Sequence, residues 1–176
     1  MVKRTLALVC VLCAGIVSPA AAKDDRLVRF DGGIGVIPVS NVTVTNGVTT
    51  VSRNIVRGVN PPGQIWVIDA LKADVDADGR IKVRGRGLLL GGGNGIGTNA
   101  NQSVMATLIC EAAAPFTLRN TGLVPLAANG DFRIDDMLDP APTDCASPVL
   151  LIRNGGGAWF AAGIVKADDD KDKDKH

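Results

Sequence analysis

The sequence predicts an all-β domain: an antiparallel β-sandwich of about 8–10 short strands, immunoglobulin-like or jelly-roll-like in its connections, with a partly open β-barrel as the alternative. Three observations carry this reading. Val, Ile, Leu and Thr dominate short segments that Gly and Pro interrupt at close intervals. No long window repeats its apolar residues at the 3.6-residue helical period. Two Asn-Gly pairs, Asn46-Gly47 and Asn129-Gly130, lie between short strand-like segments, the strongest local signal for a hairpin.

Ahead of the strands, residues 1–22 read as a cleaved secretory signal peptide. Lys3 and Arg4 form its basic start, an apolar run extends from Leu6 to Val17, and Ser18-Pro19-Ala20-Ala21-Ala22 supplies small residues for cleavage before Lys23. The run is too short to span a bilayer, and no second apolar segment long enough to do so follows, so no transmembrane segment is expected. Cys10 and Cys13 are preceded by Val9 and Leu12, where a lipoprotein signal would carry a small residue. The expected location is secreted or periplasmic. Residues 23–167 are expected to form a single β domain, and 168–176 a disordered charged tail of five Asp, three Lys and one His.

Strand character is found at 27–30, 35–39, 41–45, 48–56, 64–76, 80–90, 103–110, 116–119, 123–127, 131–134, 149–153 and 158–165. Asn60-Pro61-Pro62-Gly63 makes a rigid turn before the segment holding Trp66. A short helical turn is expected at 135–138, stopped by Pro140. Leu88-Leu89-Leu90-Gly91-Gly92-Gly93-Asn94-Gly95-Ile96-Gly97 lacks the glycine spacing of a dinucleotide loop and has no Gly-Lys-Ser/Thr, so it reads as a long irregular crossing loop.

Asp74-Val75-Asp76-Ala77-Asp78-Gly79 is the segment most like site chemistry. Asp74, Asp76 and Asp78 stand at the first, third and fifth positions of a calcium loop, with Gly at the sixth for the sharp bend. The twelfth position is Gly85 rather than a bidentate Glu, and the flanks read as strands. A hairpin with a three-residue turn and a left-handed Gly79 sets Asp76 against Arg80, Val75 against Ile81 and Asp74 against Lys82, so these aspartates have cationic partners and need no metal. The hairpin is preferred, and calcium is the alternative ligand.

Arg80, Lys82, Arg84 and Arg86 alternate with Ile81, Val83, Gly85 and Gly87, making a basic stripe along one strand face. The stripe is the candidate ligand-binding feature, suited to an anionic glycan, a lipid headgroup or an acidic protein surface; the plainer reading is a solvated face. Asp131, Asp135, Asp136, Asp139 and Asp144 cluster in sequence, and paired aspartates serve glycoside hydrolysis. Turn-forming and capping roles are commoner for such residues, and the aromatics that line sugar clefts are scarce: two Trp, four Phe and no Tyr. Trp66 and Trp159 sit in apolar runs and read as core.

The composition excludes much of catalysis. The only His is His176 and the only Glu is Glu111, so Ser-His-Asp, Cys-His and zinc chemistry lack their imidazoles. With the signal removed, 17 basic side chains face 18 acidic ones, a net charge near −1 that implies no nucleic acid. The same removal leaves Cys110 and Cys145 as the only cysteines in an oxidising compartment, so they should form a disulfide, with Cα atoms about 4.4–6.8 Å apart. The expected function is that of a secreted, non-catalytic binding or structural module for an extracellular protein or glycan. An aspartate-dependent extracytoplasmic hydrolase and a calcium-stabilised adhesion-type module are the alternatives.

Overall fold

The computed structural model describes residues 25–167; the expected signal peptide at 1–22 and charged tail at 168–176 lie outside the described residues. Thirteen strands follow one another with no helix among the described residues. They are β1 (Arg26–Gly35), β2 (Val39–Thr45), β3 (Val48–Arg53), β4 (Trp66–Val67), β5 (Ala70–Asp76), β6 (Arg80–Arg86), β7 (Leu89–Leu90), β8 (Ser103–Ile109), β9 (Arg119–Asn120), β10 (Val124–Pro125), β11 (Phe132–Met137), β12 (Val149–Asn154) and β13 (Trp159–Val165). Nine form one sheet in the order β10-β8-β12-β13-β1-β5-β6-β11, with β9 also on β8, and every pairing is antiparallel.

The two ends of this sheet meet, so that it curls into a nearly closed barrel. Asn120 of β9 and Asp139, just past β11, exchange N–H···O bonds in both directions at 2.9 Å. Above them the Asn129-Gly130 turn draws β10 and β11 together, Ala127 N donating to Asp131 O at 3.0 Å. The all-β, antiparallel expectation is thus borne out, and the barrel alternative describes the principal sheet. Its interior is filled by alternate side chains, among them Phe30, Leu71, Val75, Ile81, Val83, Leu108, Ile134, Leu150, Ile152 and Phe160, all buried. Trp66 and Trp159 are core as expected, Trp66 stacking on Phe160 with ring centroids 4.0 Å apart.

The turns behave as their residues require. Asn46 and Gly47 both hold positive φ, 52° and 76°, the mirror-image turn whose twist matches a hairpin. At Asp76–Gly79 the three-residue register is found: Val75 pairs Ile81, Asp74 pairs Lys82, and Gly79 has φ 91°. Asp78 Oδ1 accepts from Arg80 N at 2.9 Å and braces the turn.

Several expectations need correction: the strand expected at 27–30 runs on to Gly35, residues 36–38 leave the sheet, and 116–118 are not strand. Residues 135–138 are not a helical turn, because Asp135, Asp136 and Met137 continue β11 in a ladder opposite Lys82, Ile81 and Arg80. That ladder satisfies the backbone along the whole of β6, which one isolated turn of helix would not. The long segments 64–76 and 80–90 each break in two. Gly87 holds φ 66° beside Asp69, and its N–H goes to Asp131 Oδ1 at 3.2 Å. The chain therefore leaves the barrel there and forms a separate two-stranded sheet of β4 and β7. The glycine-rich segment is the irregular loop expected, closed on itself by Gly97 N to Leu90 O and Leu90 N to Thr98 O.

Candidate functional site

The barrel wall formed by β1, β5, β6 and β11 carries the molecule's charge pattern. Strict alternation along β6 buries Ile81, Val83 and Gly85 and exposes Arg80, Lys82, Arg84 and Arg86, the whole of the sequence-predicted stripe. Residues directly opposite in an antiparallel ladder share a face, so the pairings order the neighbours into rows. One row runs Arg29, Asp74, Lys82, Asp135 across β1, β5, β6 and β11, alternating in sign at every step. The next runs Asp31, Lys72, Arg84, Arg133, three adjacent cations closed by a single acid.

These rows distribute the predicted carboxylates. Asp74 lies 3.6 Å from Arg26 Nε and 3.7 Å from Arg29 Nε. Asp76 stands opposite Arg26 in the ladder, and Asp78 is taken up by its own turn. Among the described residues no group of three or more His, Cys, Asp or Glu side chains is gathered for a metal ion. Lys72 Nζ reaches Asp31 at 3.4 Å and Arg80 reaches Asp135 at 3.5 Å. All of these pairs are solvent-open and contribute little individually.

Arg84, Arg86 and Arg133 are left over: exposed, and without a carboxylate in ion-pair range among the described residues. Together with Gly85, Asp131 and Phe132 they line a shallow depression of about 500 Å³. Asp131 is already engaged, accepting from Gly87 N and from the Asn129 amide at 3.2 and 3.0 Å. Phe132 fills the space beside Gly85, where a Cβ would fall 2.0 Å from its ring. Lys72, on the preceding strand, and Arg133, some fifty residues on, flank the stripe in the same row. The hairpin register that sets Asp74 against Lys82 also sets Lys72 against Arg84, whereas Arg133 is brought in only by the pairing of β11 with β6, for which the sequence carries no sign.

Elsewhere the charged side chains serve the fold. Asp136 accepts from Gly122 N and Met137 N, both at 2.8 Å, and these backbone donors hold its carboxyl below the usual range, the Gly122 bond most of all. Arg53 and Arg153 flank a cleft of about 440 Å³, but each guanidinium already donates to backbone, Arg53 to Pro61 O at 2.5 Å and Arg153 to Gly157 O at 3.0 Å. Desolvation lowers the pKa of Arg153. Cys110 and Cys145 form the disulfide as expected, with Cα atoms 4.3 Å apart, just below the expected range. No helix among the described residues is long and apolar enough to cross a membrane. Compared with protein-family models, curated proteins and solved structures, the chain matches none.

Proposed function

We propose that this chain is a non-catalytic extracytoplasmic binding module that takes a linear polyanion, an acidic glycan, across the outer face of β5, β6 and β11. The observation that carries this reading is the row Lys72, Arg84 and Arg133, joined by Arg86, in which three guanidinium groups have no carboxylate in ion-pair range among the described residues. Strands about 4.8 Å apart set the row at roughly 10 Å across, and alternate residues of β6 add a second dimension along the strand. A shallow, solvent-open surface of this kind suits an extended chain of charges better than a compact anion, which needs enclosure. Both tryptophans are buried, so recognition falls to charge rather than to sugar stacking. Asp131 and Asp136 are tied to backbone N–H groups and Asp135 faces Arg80, which favours binding over hydrolysis at these residues.

Affinity electrophoresis of the exported chain through a gel containing a uronic-acid polymer tests this. Retardation should be strong at low salt and fade at about 0.15 M ionic strength and above, as screening shortens the reach of exposed charges. The triple variant Arg84→Gln, Arg86→Gln, Arg133→Gln should lose about tenfold or more in affinity. Lys166→Gln, past the end of β13 and outside the Lys72–Arg84–Arg133 row, should not. Equal retardation of the triple variant and the parent would refute the site.

A further inference from the structure

The hairpin of β2 and β3 stands apart from the barrel. Every residue of both strands is exposed, and the two strands pair only with each other. A two-stranded hairpin alone is marginally stable in water. Its side chains are nonetheless sorted. Val39 pairs Arg53, Val42 pairs Val51 and Val44 pairs Thr49, which sets Val39, Val42, Val44 and Val51 on one face. The irregularity between Val39 and Asn41 is what turns Val39 to that side, since strict alternation would place it opposite Val42. Thr49 and Arg53 share the valine face, and Asn41, Thr43, Thr45, Val48, Thr50 and Ser52 occupy the other.

The valines remain open to solvent, Val42 at 55%, Val44 at 67% and Val51 at 51% exposure. At the root of the arm the same face runs into an apolar groove of about 420 Å³ formed by Ile37, Pro38, Val39, Ile65 and Gly92-Gly93. Ile37 and Ile65 are themselves 60% and 40% exposed. Arm and groove make one continuous apolar surface, of the kind that marks an interaction site.

We propose that this surface is covered by a second copy of the chain in a two-fold pair, each arm lying antiparallel on the other with its tip in the partner's root groove. Three features select a second copy. The first is that one protomer supplies both halves of the contact, a protruding apolar face and an apolar recess, as an isologous interface requires. Charge is the second: from Val39 to Ser52 the chain carries no ionisable side chain, and Arg53, at the root of the arm, donates to Pro61 O, so the valine faces approach without the repulsion that the cation-rich β6 face would bring. The third is size. Seven residues at about 3.3 Å each make a face roughly 23 Å long and 10 Å wide, so one arm on one groove is too small. Reciprocal contact covers arm and groove on both protomers, on the order of 600 Å² each, the lower end of specific interfaces.

Sedimentation velocity on the full exported chain, from about 1 to 100 µM, is the test, because self-association depends on protomer concentration. The expected result is a closed monomer–dimer equilibrium. Val42→Thr with Val44→Thr and Val51→Thr keeps strand propensity but removes the apolar face, and should weaken the dimer by about tenfold or more. Thr43→Asp, on the other face, should leave it intact. Val44→Cys mixed with Ile65→Cys should yield an intermolecular disulfide, tip to root. A monomer at every concentration would overturn the proposal, as would open-ended assemblies, dimers indifferent to the valine substitutions, or a partner of different sequence required for association.

Discussion

Arg119 is buried, and its Nη2 donates to Glu111 Oε1 at 2.9 Å while Nη1 donates to Thr117 O at 3.1 Å. Glu111 Oε2 accepts from Thr117 N at 3.1 Å, so the only Glu of the chain anchors the loop that leads from β8 to β9. The Arg119 hydrogen bond holds the Glu111 carboxyl far below its ordinary 4.5, at about 2. A carboxyl with a depressed folded-state pKa stabilises the fold above its unfolded pKa and loses that contribution as pH falls through the folded value. The window here runs from 4.5 down to about 2. Glu111→Gln should therefore lower the melting midpoint at neutral pH, and the gap from the parent should close as pH falls through that window. A gap independent of pH would mean that Glu111 acts only through packing.

Among the elements, the turn and register of the β5–β6 hairpin were legible because both signals are local, whereas the breaks at its far end were not. Alternation set the faces, and a glycine at the end of an acidic turn set the register. Gly79 is more constrained than its φ of 91° alone implies: it is buried, and a Cβ there would lie 3.1 Å from Ala141 Cβ and 3.2 Å from Pro142 Cδ. Gly79→Ala should cost about 1–3 kcal/mol, from left-handed strain plus that contact, read as a fall of several degrees in the melting midpoint. Millimolar calcium should leave the parent's midpoint unmoved, because Asp74 lies between two arginines and Asp78 braces the turn. A rise with calcium that vanishes in Asp76→Ala would restore the metal reading, since a ligand that binds only the folded loop must stabilise it. Residues 135–138 were misread for the opposite reason. Asp135-Asp136-Met137 has no alternation of its own and is held extended by β6, a partner some fifty residues away in sequence, as its pairing with Lys82, Ile81 and Arg80 shows.

For the whole molecule, the all-β class followed from composition and turns, but curling the sheet into a barrel depends on contacts that no short window contains. The seam is made by β9, β10 and the end of β11, all within the 35-residue span closed by Cys110 and Cys145. Two of these strands are only two residues long and pair only briefly with β8. Their closure rests on the Asn120–Asp139 exchange, on Gly122 N bonding Asp136, and on Leu88 N bonding Gly130 O at 2.9 Å. The disulfide thus shortens the unfolded-state loop that must order before the barrel can close, a contribution of about 3–4 kcal/mol in the chain-entropy model. Cys110→Ala with Cys145→Ala should lower the melting midpoint by about 10–15 °C for a domain of this size. The loss should also be uneven. Amide hydrogen exchange should quicken most at Asn120, Gly122 and Asp139, while the β5–β6 ladder, whose turn and register are local, keeps its protection relative to global unfolding. Uniform acceleration across both regions would show instead that the bridge stabilises the molecule as one cooperative unit, with no special hold on the seam.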